Sequence, residues 1–158
     1  MQMRSRTPWK IKLRPEQQPR VESDARGRML IPTPMLVAEE VKKIRRGKLA
    51  TPEMIRHRLA ERFGADFTCP MTTGIFLNIV AAASDEIEGE GGRTLAPWWR
   101  IVEPDGTLNP KRPPGSDRHA ALLRGEGHVL RRKKPTVWQV VDAAVPSAAS
   151  SRRPKARA

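Results

Sequence analysis

Three apolar-periodic segments followed by a Pro-Asp-Gly turn predict a mainly α-helical domain with a small β wing, a winged helix-turn-helix. The helical segments span residues 33–47, 51–64 and about 73–85. The turn Pro104-Asp105-Gly106 lies between residues 99–102 and 107–108, which read as the short strands of a wing. In such a scaffold the third helix is the one that enters a DNA groove.

Residues 1–28 are rich in Arg, Gln and Pro and lack an apolar period, which predicts a basic, disordered arm. Within it Trp9, Ile11 and Leu13 alternate with Lys10 and Lys12, the pattern of a short strand able to dock on the body or on a partner. The domain itself is expected over residues 29–142. Thr33 is the expected N-cap of the first helix and Pro34 its first residue. Val37, Val41 and Ile44 form one stripe, and Gly47 supplies the stop. Lys42, Lys43, Arg45 and Arg46 crowd the last turn, where the helix dipole favours cations. The second helix repeats the pattern with Thr51, Pro52, the stripe Ile55, Leu59 and Phe63, and Gly64. Arg56, Arg58 and Arg62 lie off that stripe.

In the third helix Ile75, Phe76, Leu77, Ile79 and Val80 make one side core. Small residues and Asn78 on the other side permit close approach to another surface. An acidic, glycine-rich loop is expected over 85–92, turned away from any phosphate backbone, and a rigid proline loop over 110–115. Ser116 is the expected cap of a last helix through Leu122 and Leu123, ended by Gly127. Residues 129–141, basic and β-branched, are expected to add a strand and a short helix. The low-complexity residues 143–158 read as a basic, disordered tail.

The chain has 158 residues, the size of one domain with extensions, and a formal net charge of +13. Charge of that size points to a polyanion, most simply nucleic acid. Residues 1–28 carry eight Lys/Arg against three Asp/Glu, residues 29–128 fourteen against thirteen, and four consecutive cations stand at 131–134. A nearly neutral body with basic extensions suits sequence-independent attraction to DNA. The plainer reading is that the extensions keep the chain soluble. Cys69 is the only cysteine, so no intrachain disulfide forms and a reducing interior is expected. No uninterrupted apolar stretch reaches ~18 residues, which argues against a membrane span. The opening Met-Gln-Met-Arg-Ser-Arg lacks the apolar region of a secretory signal. The expected location is the cytoplasm, in association with the nucleoid.

The run Ala96-Pro97-Trp98-Trp99-Arg100-Ile101-Val102, followed by Asp105-Gly106-Thr107-Leu108, resembles the active-site strand of the methylated-DNA–protein-cysteine methyltransferases. The hallmark of these DNA O-alkylguanine alkyltransferases is Pro-Cys-His-Arg-Val and an Asp-Gly turn. The resemblance covers roughly residues 29–129. It includes the helix pair, the small-residue third helix and the closing Ala-Leu-Leu-Arg-Gly-Glu-Gly at 121–127, in the family's order. It implies a winged helix of the alkyltransferase DNA-binding-domain type. In that family the third helix enters the minor groove, and an arginine on it props the duplex open while the target nucleotide swings out. Here Trp98 stands where the alkyl-accepting cysteine belongs, and Trp99 where its proton-relaying histidine belongs. An indole has no thiolate and accepts no alkyl group. The resemblance therefore implies a non-enzymatic, alkyltransferase-like protein that recognises alkylated duplex DNA and hands the lesion to excision-repair proteins. Asn78 aligns with the family's arginine, which turns the expectation from base flipping toward plain minor-groove binding.

The expected DNA contacts are Thr73, Asn78 and Ala82 on the third helix, Arg56 and Arg58 on the second, and Arg100 on the strand. Trp98 and Trp99 form the expected lesion pocket. Strand alternation sends them to opposite faces, Trp98 to the pocket and Trp99 to the core, and stacking on a base is worth ~1–3 kcal/mol. Each residue also has a plainer reading: one tryptophan as core and the other packed beneath the strand, Arg100 as the structural residue it largely is in the family, and Asn78 as a capped or solvated polar group. Cys69 is the alternative acceptor of a methyltransferase. A nucleophilic cysteine needs a base or a lowered pKa, and His57, His119 and His128 are not close to it in sequence. The histidines lack metal-ligand spacing, and no glycine-rich phosphate loop or Ser/His/Asp signature appears, so neither metal nor cofactor is expected. Two rival function classes remain. One is an architectural or regulatory DNA-binding protein without a lesion pocket, which binds undamaged and alkylated duplex equally. The other is a module whose basic tails meet RNA or an acidic protein.

Overall fold

The computed structural model describes residues 8–146. Proline opens both α1 (Pro34–Lys42) and α2 (Pro52–Phe63), and the threonine before each turns its hydroxyl oxygen back onto the helix. Thr33 accepts from the Leu36 N–H and Thr51 from the Met54 N–H, both at 3.2 Å. α2 ends on Gly64 in the left-handed conformation, as its sequence predicts. α1 ends earlier, at Lys43, and Gly47 turns the chain beyond it. Val37, Val41, Ile55 and Leu59 are fully buried, so the two predicted stripes face one core. α3 (Pro70–Gly89) closes that core with Leu77, Val80 and Ala83. It is longer than its apolar pattern suggests. Pro70 starts it directly behind Cys69, and the acidic residues expected in a loop form its last turns.

The architecture is mixed α/β. Among the described residues are four α-helices, the last being α4 (Ser116–Gly125), and two small sheets. β1 (Arg20–Asp24) pairs antiparallel with β2 (Gly27–Ile31), and β2 pairs parallel with β3 (Phe67–Thr68). β4 (Leu130–Lys134) and β5 (Val137–Val140) form a separate antiparallel hairpin. A second apolar cluster lies under this hairpin, built from Leu49, Val102, Leu108, Ala120, Leu123 and Val140. No helix among the described residues is long and apolar enough to cross a membrane.

Four expectations need correction. The arm is structured from Trp9 onward. Trp9–Leu13 is a 3-10 turn rather than a strand, Leu13 is buried, and the N–H groups of Trp9 and Lys10 donate to the Glu86 carboxylate on α3 at 3.0 and 3.2 Å. β1 then completes the order that composition hid. The rest of the arm and residues 147–158 of the tail lie outside the described residues. The wing strands are also displaced. The turn closes as expected, with Gly106 N–H donating to the Glu103 carbonyl at 2.8 Å. However, Trp98–Arg100 is a 3-10 turn, and Ile101 and Thr107 pair with Ala50 and Gln139 only through isolated bridges. Third, the two-stranded hairpin is β4–β5, where a strand and a helix were expected. Gly106 has φ +87°, and a Cβ there would collide with the Val140 carbonyl, so glycine lets the turn press against β5. Finally, Ser116 is the first residue of α4 and no side chain caps that helix.

Candidate nucleic-acid interface

The 3-10 turn sends Trp98 inward. It is 2% exposed and packs on the His119 ring, with centroids 5.1 Å apart, and edge-on against Trp99 at 6.0 Å. Trp98 is therefore core and walls no open pocket, which corrects its assignment to a lesion site. Strand alternation fails as a guide because the backbone here is not a strand. Trp99 is half-buried, and its indole N–H donates to Glu126 at 2.8 Å. Arg100 donates to the same carboxylate from Nε at 2.9 Å and from Nη2 at 2.8 Å, and from Nη1 to the Ile44 carbonyl at 2.7 Å. A guanidinium engaged on all three nitrogens is a clamp, so Arg100 is also corrected as a DNA contact. Burial opposes ionisation of Glu126, but the bonds from Arg100 and Trp99 outweigh it and hold its carboxyl below the usual range. His119 Nε2 lies 2.8 Å from the Trp99 carbonyl, and burial pushes its pKa down to about 4, so the ring is neutral at pH 7 and donates there.

The third helix offers less surface than its sequence suggests. Thr73 is fully buried and its hydroxyl donates to the Cys69 carbonyl at 2.8 Å. Because α3 starts at Pro70, Thr73 belongs to its first turn, on the inward side. Ala82 is buried too, one turn before the Glu86 that holds the Trp9–Leu13 segment against α3. Neither side chain lies on the exposed surface. What remains outward is the first half of the helix. Met71 is 74% and Ile75 52% exposed, and a Cβ on Gly74 would meet nothing within 4 Å. Asn78 is half-buried beside them, and its Oδ1 accepts from Arg112 Nε at 3.3 Å. Arg112 is 3% exposed, has no ion pair among the described residues, and leaves Nη1 without a partner. Burial pushes its pKa down against the weaker pull of Glu103, yet a guanidinium remains charged.

The hairpin carries the exposed charge. Arg131, Arg132, Lys133 and Lys134 are all exposed. The guanidinium carbons of Arg132 and Arg124 lie 4.2 and 4.4 Å from the centroid of the Trp138 ring. Trp138 is itself fixed by its N–H to Asp117 at 3.1 Å. Neither arginine has a carboxylate partner among the described residues. Arg132 donates instead to the Pro135 carbonyl. Lys133 does pair with Asp105 at 3.0 Å, whose pKa is held down to about 2 by its bond with Thr107, helped by Lys133.

The two arginines expected on α2 do not join this surface. Arg56 lies in a shallow groove with Glu53, His57 and Asp66, and Arg58 lies beside Glu40, Lys43 and Glu61. Cys69 is buried, and its Sγ accepts from the Thr72 hydroxyl at 2.8 Å. Among the described residues no three of His, Cys, Asp and Glu gather closely enough to hold a metal ion. Sequence reasoning missed Glu126, Arg112, Arg124 and Trp138. Only the isolated Glu between two glycines and the lone Trp in a basic run could have drawn attention to two of them. The chain matches no protein-family model, no curated protein and no solved structure.

Proposed function

We propose that the protein binds duplex DNA without enzymatic activity, as a winged helix-turn-helix with α3 as the groove helix and the β4–β5 hairpin as the wing. The observation that carries this reading is the hairpin. Arg124 and Arg132 flank one indole and form no ion pair among the described residues, Asp117 bonding the indole N–H instead, and Arg131 and Lys134 extend the same charge. Like charges held close repel, and a polyanion relieves that repulsion. Charge kept only for solubility has no need of an aromatic platform, whereas phosphate binding gains from pre-ordered guanidinium groups. The alkyltransferase resemblance supports the groove helix and a nucleoid location. Burial of Trp98 favours architectural or regulatory binding over lesion recognition, because an extruded base would meet no open aromatic wall. Excision-repair partners belong to the lesion reading alone.

Titration of the full chain with undamaged and O-alkylguanine duplexes at several salt concentrations tests the proposal. The two duplexes should bind within twofold of each other. The double variant Arg124→Ser/Arg132→Ser should flatten the log–log salt slope by roughly 0.9 for each phosphate that is no longer neutralised. An unchanged slope removes the hairpin from the interface, and a clear preference for the alkylated duplex restores lesion recognition. A stoichiometric mass gain on Cys69 would replace the reading with an enzyme.

A further inference from the structure

Residues 29–128 carry fourteen Lys/Arg against thirteen Asp/Glu, but the fold sorts them. Acids gather at the end of α3, as Asp85, Glu86, Glu88 and Glu90. Cations gather in the connection between α1 and α2, where Arg45, Arg46 and Lys48 are exposed and Lys43 pairs with Glu40. A turn in which the Lys48 N–H donates to the Arg45 carbonyl at 2.9 Å shapes this connection. It meets two other parts of the molecule. Arg46 Nη2 donates to the Gly125 carbonyl at 2.9 Å, beside Arg124 at the end of α4. Lys48 shares a shallow groove with Ala143, Ala144 and Val145, the residues behind β5. Arg124 leads in turn through the Trp138 ring to Arg132 and the hairpin. Connection, α4 and hairpin thus form one unbroken band. The acids along it are engaged. Glu126 is taken by Arg100, Asp105 by Lys133, Asp117 by the Trp138 N–H, and Asp142 by His128 and the Val129 N–H, while Glu103 pulls on Arg112. Asp117 and Asp142 remain as two negative charges. Three cations in the connection, one on α4 and three on the hairpin have no ion pair among the described residues and outnumber them.

We propose that this band is a phosphate track: one duplex lies across the end of α4, held by the hairpin on one side and by Arg45 and Lys48 of the α1–α2 connection on the other. The inference rests on the DNA-binding reading and adds to it a grip on the domain body, which an even count of charges hides. A continuous band of cations suits a ligand whose own charge is continuous, and duplex DNA carries one negative charge per ~1.7 Å of axis. Contacts of this kind position the duplex and read no base, which accords with architectural binding. Arg46 is committed to Gly125, so the phosphate contacts fall to Arg45 and Lys48, whose side chains are exposed. Residues 147–158 add four cations and continue from Pro146, which lines the same groove as Lys48.

Salt titrations of the full chain on an undamaged duplex test the track, above about 0.1 M salt, where charges more than about 10 Å apart are largely screened. Arg45→Ser/Lys48→Ser should flatten the log–log slope by about 0.9 for each phosphate released, up to about 1.8. Arg45→Lys/Lys48→Arg keeps the charge and should keep the slope. Arg14→Ser/Arg93→Ser removes as much charge from residues that follow the Trp9–Leu13 segment and α3, off the band, and should leave the slope unchanged. Joined to Arg124→Ser/Arg132→Ser, the connection loss should add to the hairpin loss. Equal flattening by the Arg14/Arg93 pair, or flattening by the charge-keeping pair, overturns the inference. An unchanged slope in the connection variant while the hairpin variant still flattens also overturns it and leaves DNA binding intact. Failure of the wild type to bind any duplex removes the reading beneath it. A second duplex per chain, lost only in the connection variant, would split the band into two sites and overturn the single track. A connection variant that keeps its duplex slope but no longer binds polyglutamate would assign the face to an acidic protein and overturn it as well.

Discussion

Among the described residues arginine meets tryptophan at two places, with opposite results. Arg100 lies 5.6 Å from the Trp99 ring and is bound by Glu126. Arg132 and Arg124 lie closer to Trp138, at 4.2 and 4.4 Å, and form no ion pair among the described residues. Each indole N–H meets a carboxylate, and what else that carboxylate binds separates the two cases. Glu126 also takes the guanidinium, which is neutralised, largely buried and committed to holding elements together. Asp117 takes the indole without an ion pair to either arginine among the described residues, and the same pairing leaves charge standing on the surface. A basic residue beside an aromatic one therefore says little about nucleic acid until the acids around it are counted.

Removing that carboxylate tests the comparison most severely. Glu126→Ala leaves Arg100 with an uncompensated charge and Trp99 with an unmet donor, and should cost about 3–5 kcal/mol in urea denaturation. A loss below about 1 kcal/mol would place this cluster with the surface one.

Acid should separate the two regions next. The pKa of His119 is about 4 in the folded chain against an ordinary value of 6.5. The unfolded chain therefore binds the extra proton between those values, and stability rises with pH across the window. Falling from about pH 6.5 to 4 should remove on the order of 3 kcal/mol, read from unfolding midpoints at fixed ionic strength. Glu126 adds a further loss that begins near its ordinary 4.5 and grows as pH falls through its depressed pKa. His119→Gln should flatten the curve between pH 6.5 and 4, and an unflattened curve would assign the loss to other groups.

The smallest effect belongs to the platform. Trp138→Leu keeps every hairpin cation but removes the ring that orders two of them. Duplex affinity should fall by roughly fivefold, about 1 kcal/mol, with the salt slope unchanged. A slope that falls as it does in the arginine double variant would mean that Trp138 governs whether the cations reach phosphate at all.

What could be read from the sequence is what depends on neighbours. Thr33-Pro34 and Thr51-Pro52 specify two helix starts because cap and proline act within one turn. Trp9–Leu13 was legible as a segment able to dock, but neither its 3-10 form nor its docking place was, since Glu86, which receives its amides, is 77 residues from Trp9. The inward course of Trp98 follows from a single 3-10 turn that leaves no periodic trace. Asn78 was legible as an outward polar residue of α3. Its orientation was not, because Arg112 reaches it across 34 residues from a proline-rich loop.

Glu126 does more than quench one charge. It also accepts the Gly47 N–H at 3.5 Å, while Arg46 donates to the Gly125 carbonyl at 2.9 Å and Arg100 to that of Ile44. The end of α4 is thereby fastened to the connection between α1 and α2, at the seam of the two apolar clusters, with Ile44 on one side and Leu49 and Leu123 on the other. The consequence is for cooperativity. The smaller cluster has six buried residues, and the bonds across the seam couple its opening to that of the larger cluster. With the seam intact, both clusters open together. With it cut, α4 and the hairpin become a separate opening unit, whose amide hydrogens exchange before those of α1, α2 and α3.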